Sequence, residues 1–216
     1  MKKQDMNNIP WPDIHIKDGV GKVPLKENYA FEDMWYLDTP QARPIFEKQA
    51  DIIIERQSKG IVDVGCRHGP VLDILYERGY TDFKYMGFDT SEEPIRLAEE
   101  KWNNYDNIEF RNESWDDMET FLVDFDVDQV IWSGVLLYKP QDHYKFFKKI
   151  TKDFYGAKNA IIQEPFKDQK YWDERLILNR ISDEFEMYKN ECKSFKEHMI
   201  HAEIFAGCRV VVDVEL

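Results

Sequence analysis

The sequence predicts an α/β protein: a mostly parallel seven-stranded sheet with helices on both faces, closed by an antiparallel C-terminal hairpin. Three observations carry this. Strand-like and helix-like segments alternate five times between about residue 39 and residue 165, the pattern of a parallel sheet covered on both sides. The strand segments are short apolar runs, as expected where both faces are buried. The tail, 195–216, then changes to two β-rich runs joined at Ala206-Gly207, which pair as a hairpin.

Residues 1–38 read as an irregular arm or lid and 39–216 as the folded domain, because Pro10, Pro12, Gly19, Gly21 and Pro24 interrupt the first thirty positions. The first helix lies within LDTPQARPIFEKQADIIIERQ, with Thr39 as cap, Pro40 in the first turn, and Ile45, Phe46, Gln49, Ile52 and Ile53 at helical spacing. IVDV, 61–64, is a β-branched strand, and PVLDILYERG a helix from Pro70 to its stop at Gly79. KYMGFD, 84–89, is the second strand; Thr90 and Glu93 are then spaced as a capping box for SEEPIRLAEEKW. NIEF is a brief third strand and WDDMETFL a short helix after it. DQVIWSG, QDHYKFFKKIT and NAIIQEP supply the fourth strand, a helix and the fifth strand, and a long helix around YWDERLILNRISDEFEMY precedes the tail.

Composition narrows the function. A chain of 216 residues is long enough to bury one full core, and no apolar run approaches the roughly 20 residues of a membrane span. The N-terminus has no apolar stretch after its lysines, so a cytoplasmic location is expected. Cys66, Cys192 and Cys208 are odd in number and lack close pairing, which argues for reduced thiols and against a disulfide framework or a zinc site. A net charge of −13 disfavours nucleic acid as partner; the cluster KFFKK, 145–149, reads as a solvated helix face.

In such a sheet ligands bind beyond the carboxyl ends of the strands, so the turn after the first strand is the first place to look. A dinucleotide site wants G-x-G-x-x-G there, and counting from Gly65 this chain has Arg67 and Pro70 at the second and third glycines. The turn D-V-G-C-R-H-G instead resembles the D-x-G-x-G-x-G loop of the class I S-adenosylmethionine-dependent methyltransferases, with Arg67 in place of the middle glycine. The resemblance covers roughly residues 40 to 165 and implies a Rossmann-like fold with S-adenosyl-L-methionine as cofactor and no metal.

It also implies site residues. Asp63, Gly65, Cys66, Arg67 and Gly69 would form the cofactor turn, and Asp89, followed by Thr90, would accept hydrogen bonds from both ribose hydroxyls. Ser114 and Trp115 stand where the family often has an acid for the adenine amine: Ser114 can accept a hydrogen bond, and Trp115 either stacks on adenine or packs a helix on the sheet. Ser133 and Gly134 are expected near the methionine part, and the hairpin agrees with the family's antiparallel seventh strand. Arg67 either meets the cofactor's carboxylate or blocks the loop.

The resemblance says little about the acceptor, for which a small polar molecule methylated on oxygen or nitrogen is expected. Tyr138, His143 and Glu164 lie near strand ends and are the candidate catalytic groups, His143 being otherwise a surface or capping residue and Glu164 otherwise an ion-pair partner. Tyr29 and Tyr36, in the arm segment ENYAFEDMWYLD, and Arg43, one turn into the first helix, are the candidate ligand contacts there; Arg43 pairs with Asp38 in the alternative. A methyltransferase-like module kept for binding or sensing is the second reading.

Overall fold

The computed structural model describes residues 42–114, 123–136, 143–165, 189–204 and 207–216. In chain order its elements are α1 (Arg43–Arg56), β1 (Gly60–Val64), α2 (Pro70–Glu77), β2 (Lys84–Asp89), α3 (Glu92–Trp102), β3 (Ile108–Asn112), β4 (Gln129–Ser133), α4 (His143–Lys148), β5 (Asn159–Pro165), β6 (Ser194–Ile204) and β7 (Gly207–Glu215). α4 runs on as a wider π-helical stretch over Lys149–Phe154.

The strands form one seven-stranded sheet in the order β3-β2-β1-β4-β5-β7-β6. The first five are mutually parallel, and β7 runs antiparallel to both β5 and β6. β1 stands where the order reverses, with β2 and β3 on one side and β4 and β5 on the other. That reversal opens a crevice at the carboxyl ends of β1 and β4.

Every residue of β1 is buried, which requires helices on both faces. Ile61, Tyr85, Ile131 and Ile161 join one core with Ile45, Ile53, Leu72 and Leu75 of α1 and α2. Val62, Met86, Val130, Trp132 and Ile162 join the second core, with Tyr144, Phe147 and Ile150. The alternation along each strand is that of period two, since successive side chains point to opposite faces. Trp132 Nε1 donates to Thr151 Oγ1 at 3.1 Å, a fully buried tie between β4 and the π-helical stretch.

Two helix starts differ from the sequence reading. α1 begins with Ala42 as cap and Pro44 in its first turn; Thr39 and Pro40 lie outside the described residues. α3 is capped at Ser91, and the expected Thr90–Glu93 capping box does not form. Glu93 instead pairs with Arg96, its Oε2 accepting from Nε at 2.8 Å. The helices expected over 115–122 and around 171–188 lie outside the described residues. Among the described residues no helix is long and apolar enough to cross a membrane.

Candidate functional site

The crevice is built by the turn between β1 and α2. Gly65 and Cys66 both donate backbone N–H groups to the Phe88 carbonyl, at 2.8 and 3.0 Å, which folds the chain back over the end of β2. The turn needs left-handed backbone at three alternate positions: Gly65 at φ 79°, Arg67 at φ 54° and Gly69 at φ 77°. Glycine suits the first and third, having no Cβ to clash. At Gly65 space matters as well, because a Cβ there would lie 2.4 Å from Val135 Cγ2 and 2.7 Å from the Ser133 carbonyl oxygen. The turn therefore sits against the end of β4, and Gly69 caps α2.

Asp89 closes the other side. Its Oδ2 accepts the Arg67 N–H at 3.0 Å and its Oδ1 the Ser91 N–H at 2.9 Å, so one carboxylate fixes both the cofactor-like turn and the start of α3. A carboxylate oxygen has two acceptor directions, and each keeps one after these bonds. Asn112, at the end of β3, donates to the Asp89 carbonyl at 3.0 Å and ties this edge to the next strand.

Beneath the turn, Asp63 is 3% exposed; its Oδ2 accepts from the Tyr85 hydroxyl at 2.8 Å. Its Oδ1 is buried with no hydrogen-bond partner among the described residues. Burial pushes the Asp63 carboxyl up to about 7; the Tyr85 hydrogen bond opposes this and the neighbouring Asp89 adds to it. Burial likewise drives the Cys66 thiol and the Tyr85 phenol well above their usual ranges.

The sequence-predicted residues fall into three groups. Asp63, Gly65, Arg67, Gly69, Asp89, Ser133 and Gly134 converge on the crevice, with Thr90 exposed just beyond Asp89 and Ser114 half-buried beyond β3. Arg67 itself is buried, 4% exposed. Cys66 builds the turn: its side chain is 2% exposed, and its backbone N–H and carbonyl bond Phe88 and Gly69. Arg43 lies apart from the crevice on an exposed face, where it holds Glu47 at 2.7 Å and also Glu77, joining α1 to α2.

The third group is not placed. Tyr29, Tyr36, Trp115 and Tyr138 lie outside the described residues, as do the side chains of His143 and Glu164. The backbone of His143 opens α4, and that of Glu164 pairs with Val210 near the end of β5.

Sequence reasoning missed Gln49, Tyr85, Asn112 and Gln163 as site-building groups. Gln49 Nε2 donates to Ser133 Oγ at 3.0 Å, and the Gln163 carbonyl accepts the Gly134 N–H at 2.9 Å. For Gln49 the signal was an amide standing inside an apolar stripe, a polar group that burial allows only with a partner.

Two hollows open at the opposite, amino-terminal edge of the sheet. One, of about 390 Å³, is lined by Val123, Phe125, Asp126, Phe154 and Tyr155, and the other by residues 81–84 with Lys59 and Asn107. Neither touches the glycine turn or its carboxylates. Among the described residues no cluster of His, Cys, Asp and Glu is arranged to hold a metal ion.

Comparison with known proteins fits this geometry. A family model described as "Methyltransferase domain" matches residues 55–206. Among solved structures, the N-methyltransferase NodS from Bradyrhizobium japonicum WM9 in complex with S-adenosyl-L-homocysteine superposes with a TM-score of 0.64 at 12% identity, covering 86% of this chain and 93% of that one. A SAM-dependent methyltransferase from Aquifex aeolicus gives 0.58 at 17% identity, covering 86% and 98%. The methyltransferase domain of bacterial CtHen1-C gives 0.60 at 13%, covering 82% and 98%. These likenesses show the fold. No curated protein sequence matches. With its family model spanning well over half of the sequence and the fold of these solved methyltransferases in agreement, this chain belongs to the methyltransferase-domain family.

Proposed function

We propose that this chain binds S-adenosyl-L-methionine and transfers its methyl group to an oxygen or nitrogen of a small polar molecule. The observation that carries the reading is the left-handed turn Gly65–Gly69 locked to Asp89 by the Arg67 N–H at the sheet's order reversal.

The residues present suit the cofactor. Asp89 keeps acceptor capacity for ribose hydroxyls, and among the described residues Asp63 Oδ1 is a buried acceptor without a partner beneath the turn and nothing lies within 4 Å of a Cβ on Gly134 at the end of β4. In this reading Asp89 holds the ribose, Gly65 and Gly69 let the backbone approach, Ser114 and Trp115 flank the adenine, and Ser133 and Gly134 face the amino-acid end. When bound, the cofactor supplies a sulfonium methyl, already a strong electrophile.

The protein's work is then mainly alignment, which contributes roughly 7 to 11 kcal/mol in favourable cases. A base near the strand ends takes the acceptor's proton, worth about 10²- to 10⁴-fold; Tyr138, His143 and Glu164 are the candidates. Tyr29 and Tyr36 of the N-terminal arm supply acceptor or cofactor contacts. A cytoplasmic setting belongs to this reading, supported by the free thiol of Cys66.

Calorimetry with S-adenosylmethionine, S-adenosylhomocysteine and NAD tests the proposal. The first two bind and NAD does not; absence of binding by the first two overturns it. A specific observation favours the second reading, a binding or sensing module: Arg67 occupies the family's middle glycine position in left-handed backbone. Methyl release assayed over a panel of small polar acceptors separates enzyme from sensor.

A further inference from the structure

α1 turns a stripe of Ile45, Phe46, Ala50, Ile52 and Ile53 into the core, and within that stripe stands Gln49, only 1% exposed. A buried amide is costly unless bonded. Gln49 spends its donor on the Ser133 hydroxyl, 84 positions away, at 3.0 Å. Among the described residues that hydroxyl has no other hydrogen-bond partner.

Ser133 is the last residue of β4 and is half-buried. Its carbonyl abuts the Gly65 turn, and among the described residues nothing lies within 4 Å of a Cβ at the next residue, Gly134. A hydroxyl that accepts from an amide directs its own proton away from that amide. Ser133 ends β4 at the carboxyl edge of the sheet, where the strand order reverses.

β4 flanks β1 on the side opposite β2, so Ser133 and Asp89 stand two strand spacings apart, about 10 Å. A molecule with its ribose at Asp89 that crosses the Gly65 turn brings its far end over Ser133. For S-adenosylmethionine that end is the amino acid, and the group there that accepts a hydroxyl proton is the carboxylate.

We infer that Gln49 is a positioning residue that holds the Ser133 hydroxyl as a donor to the cofactor's carboxylate, so that helix α1 governs how the amino-acid end is seated. The inference rests on the reading of this chain as an S-adenosylmethionine binder.

The test is calorimetry on the full chain with two probes, S-adenosylhomocysteine and methylthioadenosine, which shares the nucleoside thioether but lacks the carboxylate. Ser133→Ala weakens S-adenosylhomocysteine about tenfold, the scale of a hydrogen bond to a charged group, and leaves methylthioadenosine unchanged. Ser133→Thr, which keeps the hydroxyl, retains the preference. Gln49→Met, similar in volume but without a donor, weakens S-adenosylhomocysteine about threefold with no loss for methylthioadenosine, and adding it to Ser133→Ala has no further effect, as coupled groups require. Equal losses for both probes mean a packing role and overturn the inference. So does unchanged affinity in Ser133→Ala when the wild type binds, a result that needs no Gln49 variant to fold. If the wild type binds neither probe, the functional reading falls and this inference with it.

Discussion

Asp63 puts a carboxyl under the turn with one oxygen bonded to Tyr85 and the other buried without a hydrogen-bond partner among the described residues. Folding raises it from 3.8 to about 7, chiefly by burial. Below about pH 4 both folded and unfolded chains carry the proton and the group is neutral to stability. Between about 4 and 7 the unfolded chain ionises first, so stability falls as pH rises, and the loss is complete above 7, on the order of a few kcal/mol. Asp63→Asn removes this slope: urea denaturation shows it close to wild type at about pH 4 and more stable at pH 8. An offset equal at both values would mean that Asp63 is ionised throughout. Asp89 differs in its partners, its carboxylate accepting the N–H groups of Arg67 and Ser91. Asp89→Ala frees both donors and removes the proposed ribose acceptor, so S-adenosylhomocysteine affinity drops more than tenfold while stability falls by about 1 to 2 kcal/mol. Asp89→Asn, still able to accept through one oxygen, lies between. Calorimetry showing unchanged affinity in Asp89→Ala would place the ribose elsewhere.

At the scale of elements, the turn is the most constrained piece. Gly65→Ala combines left-handed backbone with a Cβ only 2.4 Å from Val135 and 2.7 Å from the Ser133 carbonyl oxygen, so β1 and β4 must separate to admit it. We expect a loss above about 2 kcal/mol in thermal or urea melts. Gly134→Ala, equally left-handed at φ 68° but with nothing among the described residues within 4 Å, should cost about 1 kcal/mol. Equal losses would show that the turn does not bear on β4. The strands were legible in the sequence because a run buried on both faces has a continuous apolar middle, YMGF in KYMGFD and AII in NAIIQEP, and these segments are β2 and β5 from end to end. Helix starts were less so. Thr90 and Glu93 have capping-box spacing, yet Asp89 takes the Ser91 N–H and Arg96 takes Glu93, competing bonds that spacing alone does not reveal. The site was legible wherever a residue type states its own task, as at Gly65, Gly69 and Asp89. It was hidden at Gln49, whose helical period gave burial but whose partner, Ser133, is supplied only by the folded sheet.

At the scale of the whole molecule, the first described helix is fastened to the last strand. Arg56, in the final turn of α1, reaches β7, where it pairs with Asp213 and donates to the Val214 carbonyl at 3.2 Å, 158 positions away. It also donates to Gln129 Oε1 of β4 at 3.3 Å. Asp213 is 6% exposed, and burial pushes its carboxyl up while Arg56 pulls it down. This clamp fixes α1 across the sheet, and α1 in turn delivers Gln49 to Ser133 at the other end of β4. Two charges brought together under cover gain little over an apolar pair, but one left alone is expensive. Arg56→Met strands Asp213 and should cost about 3 kcal/mol in urea denaturation at neutral pH, whereas Arg56→Met combined with Asp213→Val should recover most of that loss, since no buried charge remains. The single variant should regain stability as pH falls through the raised pKa of Asp213, because protonation then removes the stranded charge; the double variant should show no such recovery. A single variant within about 0.5 kcal/mol of wild type would mean that water reaches Asp213 and that packing alone seats α1.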